Sequence, residues 1–205
     1  MHHVVAPTHI GASMLTVFSD YVCPFSYLAE TVIERARRAE GGSVAYGAYE
    51  LWPHGTSPPG TDDAALWQGT ILPVARALGV DIRRPDDVPR TRKAHEAAQH
   101  ARDASHFERM RAALFRAHFV EGRDIGRIDA LVEIGRECGL DGLALKIALD
   151  IDAAAPAIEA DRREATSRGV TGTPAFVTAS EVVHGLQPEG VLRALLRRAD
   201  ADQSK

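Results

Sequence analysis

A continuous strand-length apolar run, Leu15-Thr16-Val17-Phe18, passes through Ser19-Asp20 into Cys23-Pro24, and there the period of the sequence changes. From that point Phe25, Leu28, Ala29, Val32, Ile33 and Ala36 recur at helical spacing, with Arg35, Arg37 and Arg38 ahead of Gly41-Gly42. A short apolar run that yields to a period near 3.6 marks a strand feeding directly into a helix. Cations in the last turn complement the helix dipole, and glycine ends the helix. Ser43 to Leu51 then alternates through Val44, Tyr46, Tyr49 and Leu51 as a second strand. Strand, helix, strand is a parallel crossover, right-handed almost without exception.

The turn residues of Trp52-Pro53-His54-Gly55-Thr56-Ser57-Pro58-Pro59-Gly60 break this pattern. Helical periodicity resumes over Ala64 to Leu78, Thr91 to Ala104, His106 to Val120, Ile128 to Cys138, Leu143 to Asp150 and Ala155 to Arg168, with Gly122, Gly139 and Gly169 at expected ends. The last section returns to strands at Ala175-Phe176-Val177 and Glu181-Val182-Val183, and Gln187-Pro188-Glu189 opens a closing helix. The order is β-α-β, a helical block, then β-β-α. A small α/β sheet domain split around a helical insertion accounts for 205 residues without two independent domains. The expected division is a flexible leader 1–13, a discontinuous sheet domain over 14–54 and 165–200, and a helical insertion over 55–164, with Met14 as a candidate start of the ordered chain.

Hydrophobic residues make up 45% and charged residues 25%, the balance of a globular protein that buries its own core without disulfide or metal staples. A net charge of -4 excludes a global basic field for nucleic acid or anionic lipid, so neither partner is expected. The 21 arginines against three lysines read as a coding bias rather than a phosphate-binding design. No apolar run is long enough to span a membrane, and the N-terminus lacks the pattern of a secretory signal. Cys23 and Cys138 are therefore expected as reduced thiols in a cytoplasm. His95, His100, His106 and His118 lack the paired spacing of zinc ligands, and no metal is expected. Apolar helix faces in the insertion leave a homodimer open.

The chemistry concentrates at Cys23-Pro24-Phe25-Ser26, directly after a strand and at the start of a helix. Unpaired N–H groups and the positive dipole end of a first helical turn favour thiolate over thiol. Cysteines so placed fall from a pKa of about 8.5 into the range of roughly 3.5–7.5. Pro24 suits the first helical position, where its missing N–H costs no hydrogen bond. Ser26 can donate to the sulfur but cannot resolve a mixed disulfide as a second cysteine would. Thr173-Pro174, just before a strand, is either a cis peptide or an ordinary trans proline opening an edge strand. Cys138 shares a helical stretch with Leu131 and Ile134 and reads as a packed core thiol.

Together these segments resemble the thioredoxin superfamily, and within it the DsbA-like branch with a helical domain inserted after the second strand. The similarity is greatest to the cytoplasmic FrnE-like group. It is carried by Phe18-Ser19-Asp20-Tyr21-Val22-Cys23-Pro24-Phe25-Ser26-Tyr27, Leu114-Phe115-Arg116-Ala117-His118-Phe119-Val120-Glu121-Gly122, Gly139-Leu140-Asp141, Gly169-Val170-Thr171-Gly172-Thr173-Pro174 and His184-Gly185-Leu186-Gln187-Pro188. The resemblance implies a thioredoxin fold with Cys23 as attacking thiol, Ser26 beside it, and Thr173-Pro174 as a cis-Pro loop that pairs with substrate backbone. Pro24, Phe25, Trp52 and His95 are the further expected substrate contacts. Ser26 stands where dithiol members have cysteine, so no intramolecular disulfide forms within this motif. Arg90 replaces an asparagine of the FrnE-like pattern and is either a cation for a carboxylate ligand or a solvated helix start.

The chain also resembles 2-hydroxychromene-2-carboxylate isomerases and kappa-class glutathione transferases, where a serine takes the place of Cys23 and hydrogen-bonds the glutathione sulfur. The two resemblances and the cleft they imply leave three functions open. The first is a monothiol oxidoreductase acting on a disulfide-containing protein or small-molecule thiol, with glutathione or another low-molecular-weight thiol as cosubstrate and no tightly bound cofactor. The second is a thiol-dependent isomerase or transferase on a small aromatic or polyketide-like acid. The third is a non-enzymatic peptide-binding or chaperone-like module.

Overall fold

Leu15–Ser19 forms β1, buried along its whole length as a strand with neighbours on both edges and cover on both faces must be. The structure is a computed structural model and describes residues 14–57 and 63–202; the expected leader 1–13 and Pro58-Pro59-Gly60 lie outside the described residues. The first helix, α1 (Pro24–Glu40), returns the chain to β2 (Val44–Ala48), which runs parallel to β1 with Leu15 opposite Val44 and Ser19 opposite Ala48. In this register Gly47 faces Phe18. A Cβ at Gly47 would stand 2.4 Å from the Phe18 ring, so the position requires glycine. The expected second strand stops at Ala48, because the Leu51 N–H turns to the Asp20 carboxylate at 2.7 Å instead of a neighbouring strand.

Helices occupy the expected places. The run over 64–78 comprises α2 (Ala64–Leu66), a π turn (Trp67–Ile71) and α3 (Leu72–Leu78). The ladder widens just ahead of Pro73, whose missing N–H and ring crowd the preceding turn. Next come α4 (Arg92–Asp103), α5 (Phe107–Arg116) with its own π turn (Ala117–Glu121), α6 (Ile128–Glu137), α7 (Gly142–Asp150) and α8 (Ala155–Ser167). Two short strands, β3 (Ala175–Val177) and β4 (Val182–His184), then lead to α9 (Glu189–Asp202). β4 begins one residue later than expected, since Glu181 closes the turn by accepting the Thr178 N–H at 3.0 Å.

The sheet order is β2-β1-β3-β4, with β1 and β2 parallel and the remaining pairs antiparallel. This is the thioredoxin arrangement, mixed and flanked by helices, carrying a helical domain. One face buries Leu15, Val17, Tyr46 and Phe176 beneath α1 and α9; the other packs Phe18, Ala175 and Val177 against Ala165 of α8. A separate core fills the helical block around Ile71, Met110, Leu114, Phe119 and Leu131, and it takes in Tyr21, Val22 and Leu28 from the first β-α unit. No helix among the described residues is long and apolar enough to cross a membrane.

Candidate active site

The antiparallel pairing of β1 with β3 places Ala175 opposite Phe18, so the residues just before β3 run alongside those just after β1. Thr173 and Pro174 are thereby delivered to Cys23. The Thr173–Pro174 peptide is cis, and the Cys23 thiol donates to the Thr173 carbonyl at 3.3 Å. The Gly185 N–H donates to the Pro174 carbonyl at 2.8 Å and ties the loop to the end of β4. Cys23 itself has extended backbone (φ -88°, ψ 112°) and caps α1, with Pro24 at the helix start. Its N–H donates to the Asp20 carbonyl at 3.1 Å, and its carbonyl accepts from the Tyr27 N–H at 3.2 Å.

The sulfur does not sit where the sequence alone suggests. Cys23 is only 4% exposed, and burial pushes its thiol above the ordinary range. The Ser26 hydroxyl, Thr173 and the Ser26 N–H pull it back, while Asp20 pushes it further up; the net direction is upward. This corrects the expectation of a depressed pKa. Helix N–H groups favour the thiolate, but desolvation outweighs them when the thiol is closed from water. The bond to the Thr173 carbonyl acts in the same sense, because only the protonated sulfur can donate it. Two hydroxyl oxygens of the site, Ser26 Oγ and Thr173 Oγ1, are buried with no partner among the described residues other than the Cys23 sulfur.

Asp20 anchors the floor of the site. Fully buried, it accepts the Leu51 N–H at 2.7 Å and faces His95 Nε2 at 3.3 Å. His95, 4% exposed and against the Tyr21 ring at 4.9 Å, thus lies behind Asp20 rather than in an open cleft. Phe25 and Trp52 are half-buried against the core of the helical block. Arg90 donates to the carbonyls of Pro53 at 3.1 Å and Thr56 at 2.8 Å, so it clamps the loop after β2. Cys138 is a free, buried thiol at the end of α6, packed with the helical core as expected.

The structure therefore brings Cys23, Ser26, Thr173 and Pro174 together, connects His95 only through Asp20, and leaves Trp52 on the loop that Arg90 holds. Sequence reasoning takes Asp20 only as part of the link from strand to Cys23-Pro24 and misses its place in the site. The available signal was a carboxylate set between Phe18 and Tyr21-Val22, where an apolar run has no reason to carry one unless it is paired.

A family model for the DSBA-like thioredoxin domain matches residues 14–197, and the chain belongs to this family of thiol oxidoreductases and isomerases. Among curated proteins it is similar to the uncharacterized protein YwbO of Bacillus subtilis, 31% identical over 202 residues, covering 93% of this chain and 97% of that one. Among solved structures it is similar to a "probable DsbA oxidoreductase" from Streptomyces coelicolor, with 26% identity and a TM-score of 0.79 over 92% of this chain and 90% of that chain. A 2-hydroxychromene-2-carboxylate isomerase shares the fold at 20% identity, with a TM-score of 0.72 over 94% of this chain and 100% of that chain. The cytosolic disulfide reductase DsbM from Pseudomonas aeruginosa, solved with GSH, shares it at 22% identity, with a TM-score of 0.65 over 93% of this chain and 98% of that chain.

Proposed function

We propose that the protein is a monothiol thiol-disulfide oxidoreductase of the cytoplasm. Its thioredoxin-like domain would comprise residues 14–54 and 165–200, interrupted by the helical domain 55–164. The observation that carries this reading is the Cys23 sulfur at the head of α1, 3.3 Å from the carbonyl of the cis Thr173–Pro174 peptide, with serine at the fourth position of the motif. Cys23 thiolate attacks one sulfur of a disulfide R–S–S–R′, forming Cys23–S–S–R and releasing R′ as thiolate. An external thiolate then attacks the R sulfur, regenerating Cys23 thiolate and leaving R in a new disulfide. Ser26 and Thr173, whose buried hydroxyls face the Cys23 sulfur, stabilise the thiolate as it leaves. Pro24 and Phe25 border the sulfur, and the Thr173 backbone offers strand-type pairing to an extended partner. Glutathione or a similar small thiol is the cosubstrate, a reading supported by the glutathione complex of the fold relative DsbM.

One observation favours a second reading. A buried, protonated thiol is a hydrogen-bond donor, and a thiol held so could orient a bound cofactor sulfur without covalent turnover, as in a thiol-dependent isomerase. Intact-mass analysis after addition of oxidised glutathione, with peptide mapping and a Cys138→Ala control, separates the two. The redox reading expects one adduct on Cys23, reversed by reduced glutathione and absent in Cys23→Ser. A folded protein that takes up no adduct on Cys23 overturns it. Isomerase activity that persists in Cys23→Ser would establish the second reading.

A further inference from the structure

Away from the thiol, a pocket of about 590 Å³ opens between the loop 83–89, which joins α3 to α4, and the end of the π turn that extends α5. That volume suits a small ligand. Neither Cys23, Ser26, Thr173 nor Pro174 lines it, so it stands apart from the thiol chemistry. His118 contributes to its wall. Only 2% exposed, the imidazole keeps Nε2 without a hydrogen-bond partner among the described residues, a costly arrangement for a buried nitrogen. Burial holds its pKa down to about 4, against a smaller upward pull from Asp20 and Asp124, so the ring is neutral at physiological pH.

The charged groups around the pocket fall into two sets. Arg123 is committed to Glu121, Glu133 and Glu137, and Asp124 accepts the Gly126 N–H. The exposed side chains of Arg83, Arg84, Asp86 and Asp87 have no ion pair or hydrogen bond among the described residues, although they are close neighbours in the chain. Two guanidinium forks and two carboxylates thus stand at one pocket without neutralising each other. A guanidinium matches a carboxylate by paired N–H donors, and a free carboxylate accepts from a hydroxyl or ammonium. A ligand carrying only negative charge would meet Asp86 and Asp87 with repulsion.

We propose that this pocket binds a small carboxylic acid bearing its own hydrogen-bond donor, a hydroxy or amino acid. Its carboxylate lies on Arg83 and Arg84, and its donor faces Asp86 and Asp87. The site is tested by titrating the full chain with sodium L-malate at constant ionic strength and following backbone amide shifts. Saturable shifts confined to residues 83–89 and 118–124 are expected, with affinity about tenfold weaker in the double variant Arg83→Ala/Arg84→Ala. These arginines are exposed, so the variant keeps its fold. No saturable shift up to about 50 mM malate, a concentration that reaches very weak fragment binding, overturns the proposal, as does equal affinity in the double variant. Succinate, which lacks the hydroxyl, is expected to bind more weakly; equal binding overturns the donor assignment.

Discussion

At the scale of single residues, the site is governed by a contest between burial and helix geometry. Because burial raises the Cys23 thiol, the resting protein is protonated there at neutral pH. A high-pKa thiolate is a stronger nucleophile but a poorer leaving group. The rate of Cys23 alkylation by iodoacetamide should therefore keep rising with pH through the alkaline range, and Ser26→Ala should slow it several-fold at pH 8 by removing a group that favours thiolate. A rate already flat at pH 7 would contradict the burial argument. His118 gives a second pH signature, with the opposite sign. Its folded pKa, about 4, is below the ordinary 6.5, so its contribution to stability is present above pH 6.5 and lost as pH falls toward 4. The loss over that span is roughly 3 kcal/mol. Urea unfolding at several pH values should show this acid slope, and His118→Phe should flatten it.

At the scale of elements, an ion pair buried on its arginine side ties α5 to α1. Arg111, only 3% exposed, makes paired bonds to Glu30 at 2.7 and 3.0 Å, donates to Ser19 Oγ at 3.0 Å, and lies 4.1 Å over the Tyr46 ring. Burial disfavours its charge, and Glu30 more than restores it. Removing Glu30 strands a desolvated guanidinium, whereas removing both partners leaves only the neutral Ser19 hydroxyl without its donor. Glu30→Ala should cost roughly 3 kcal/mol in urea unfolding, and the Glu30→Ala/Arg111→Met pair should cost less than the two single losses added together. Additive losses would show that the ions do not act as a pair.

Element existence was legible where period and punctuation agreed. The change of pattern at Cys23-Pro24, the alternation from Val44 and the glycines that end helices all arise from local physics. Boundaries failed where a single hydrogen bond decided them: Asp20, distant in sequence, draws Leu51 out of β2, and Glu181 closes a local turn with Thr178 instead of opening β4. The cysteine, serine and Thr-Pro segment were legible as a set, but the protonation of the sulfur was not. Sequence marks a helix N-terminus, while the burial that reverses its effect depends on the loop before β3 folding over it. The same holds for Asp20 and His95, which meet only because the tertiary fold brings α4 to the turn after β1.

At the scale of the whole molecule, the cores of sheet and helical block interlock in a way that bears on cooperativity. Tyr21, Val22 and Leu28 belong to the strand-helix corner that carries Cys23, yet they pack into the helical block; α8 packs Ala165 beneath the sheet while its Asp161 accepts the Ala48 N–H at 2.8 Å. The helical block therefore lacks a complete core without the sheet, and the site lies on the shared boundary. This predicts one unfolding transition rather than two. The chain's two tryptophans, Trp52 and Trp67, both pack against the helical core and report on it by fluorescence. Gly47→Ala disturbs the sheet instead, driving a Cβ into the Phe18 ring from 2.4 Å. Overpacking of this kind costs about 2 kcal/mol. If the two parts fold together, Gly47→Ala should lower the urea midpoint of tryptophan fluorescence and of far-ultraviolet circular dichroism by the same amount, with coincident curves. A fluorescence midpoint that stays at the wild-type value while the dichroism shifts would mean that the helical block stands alone, and that the boundary holding Cys23 can open without global unfolding.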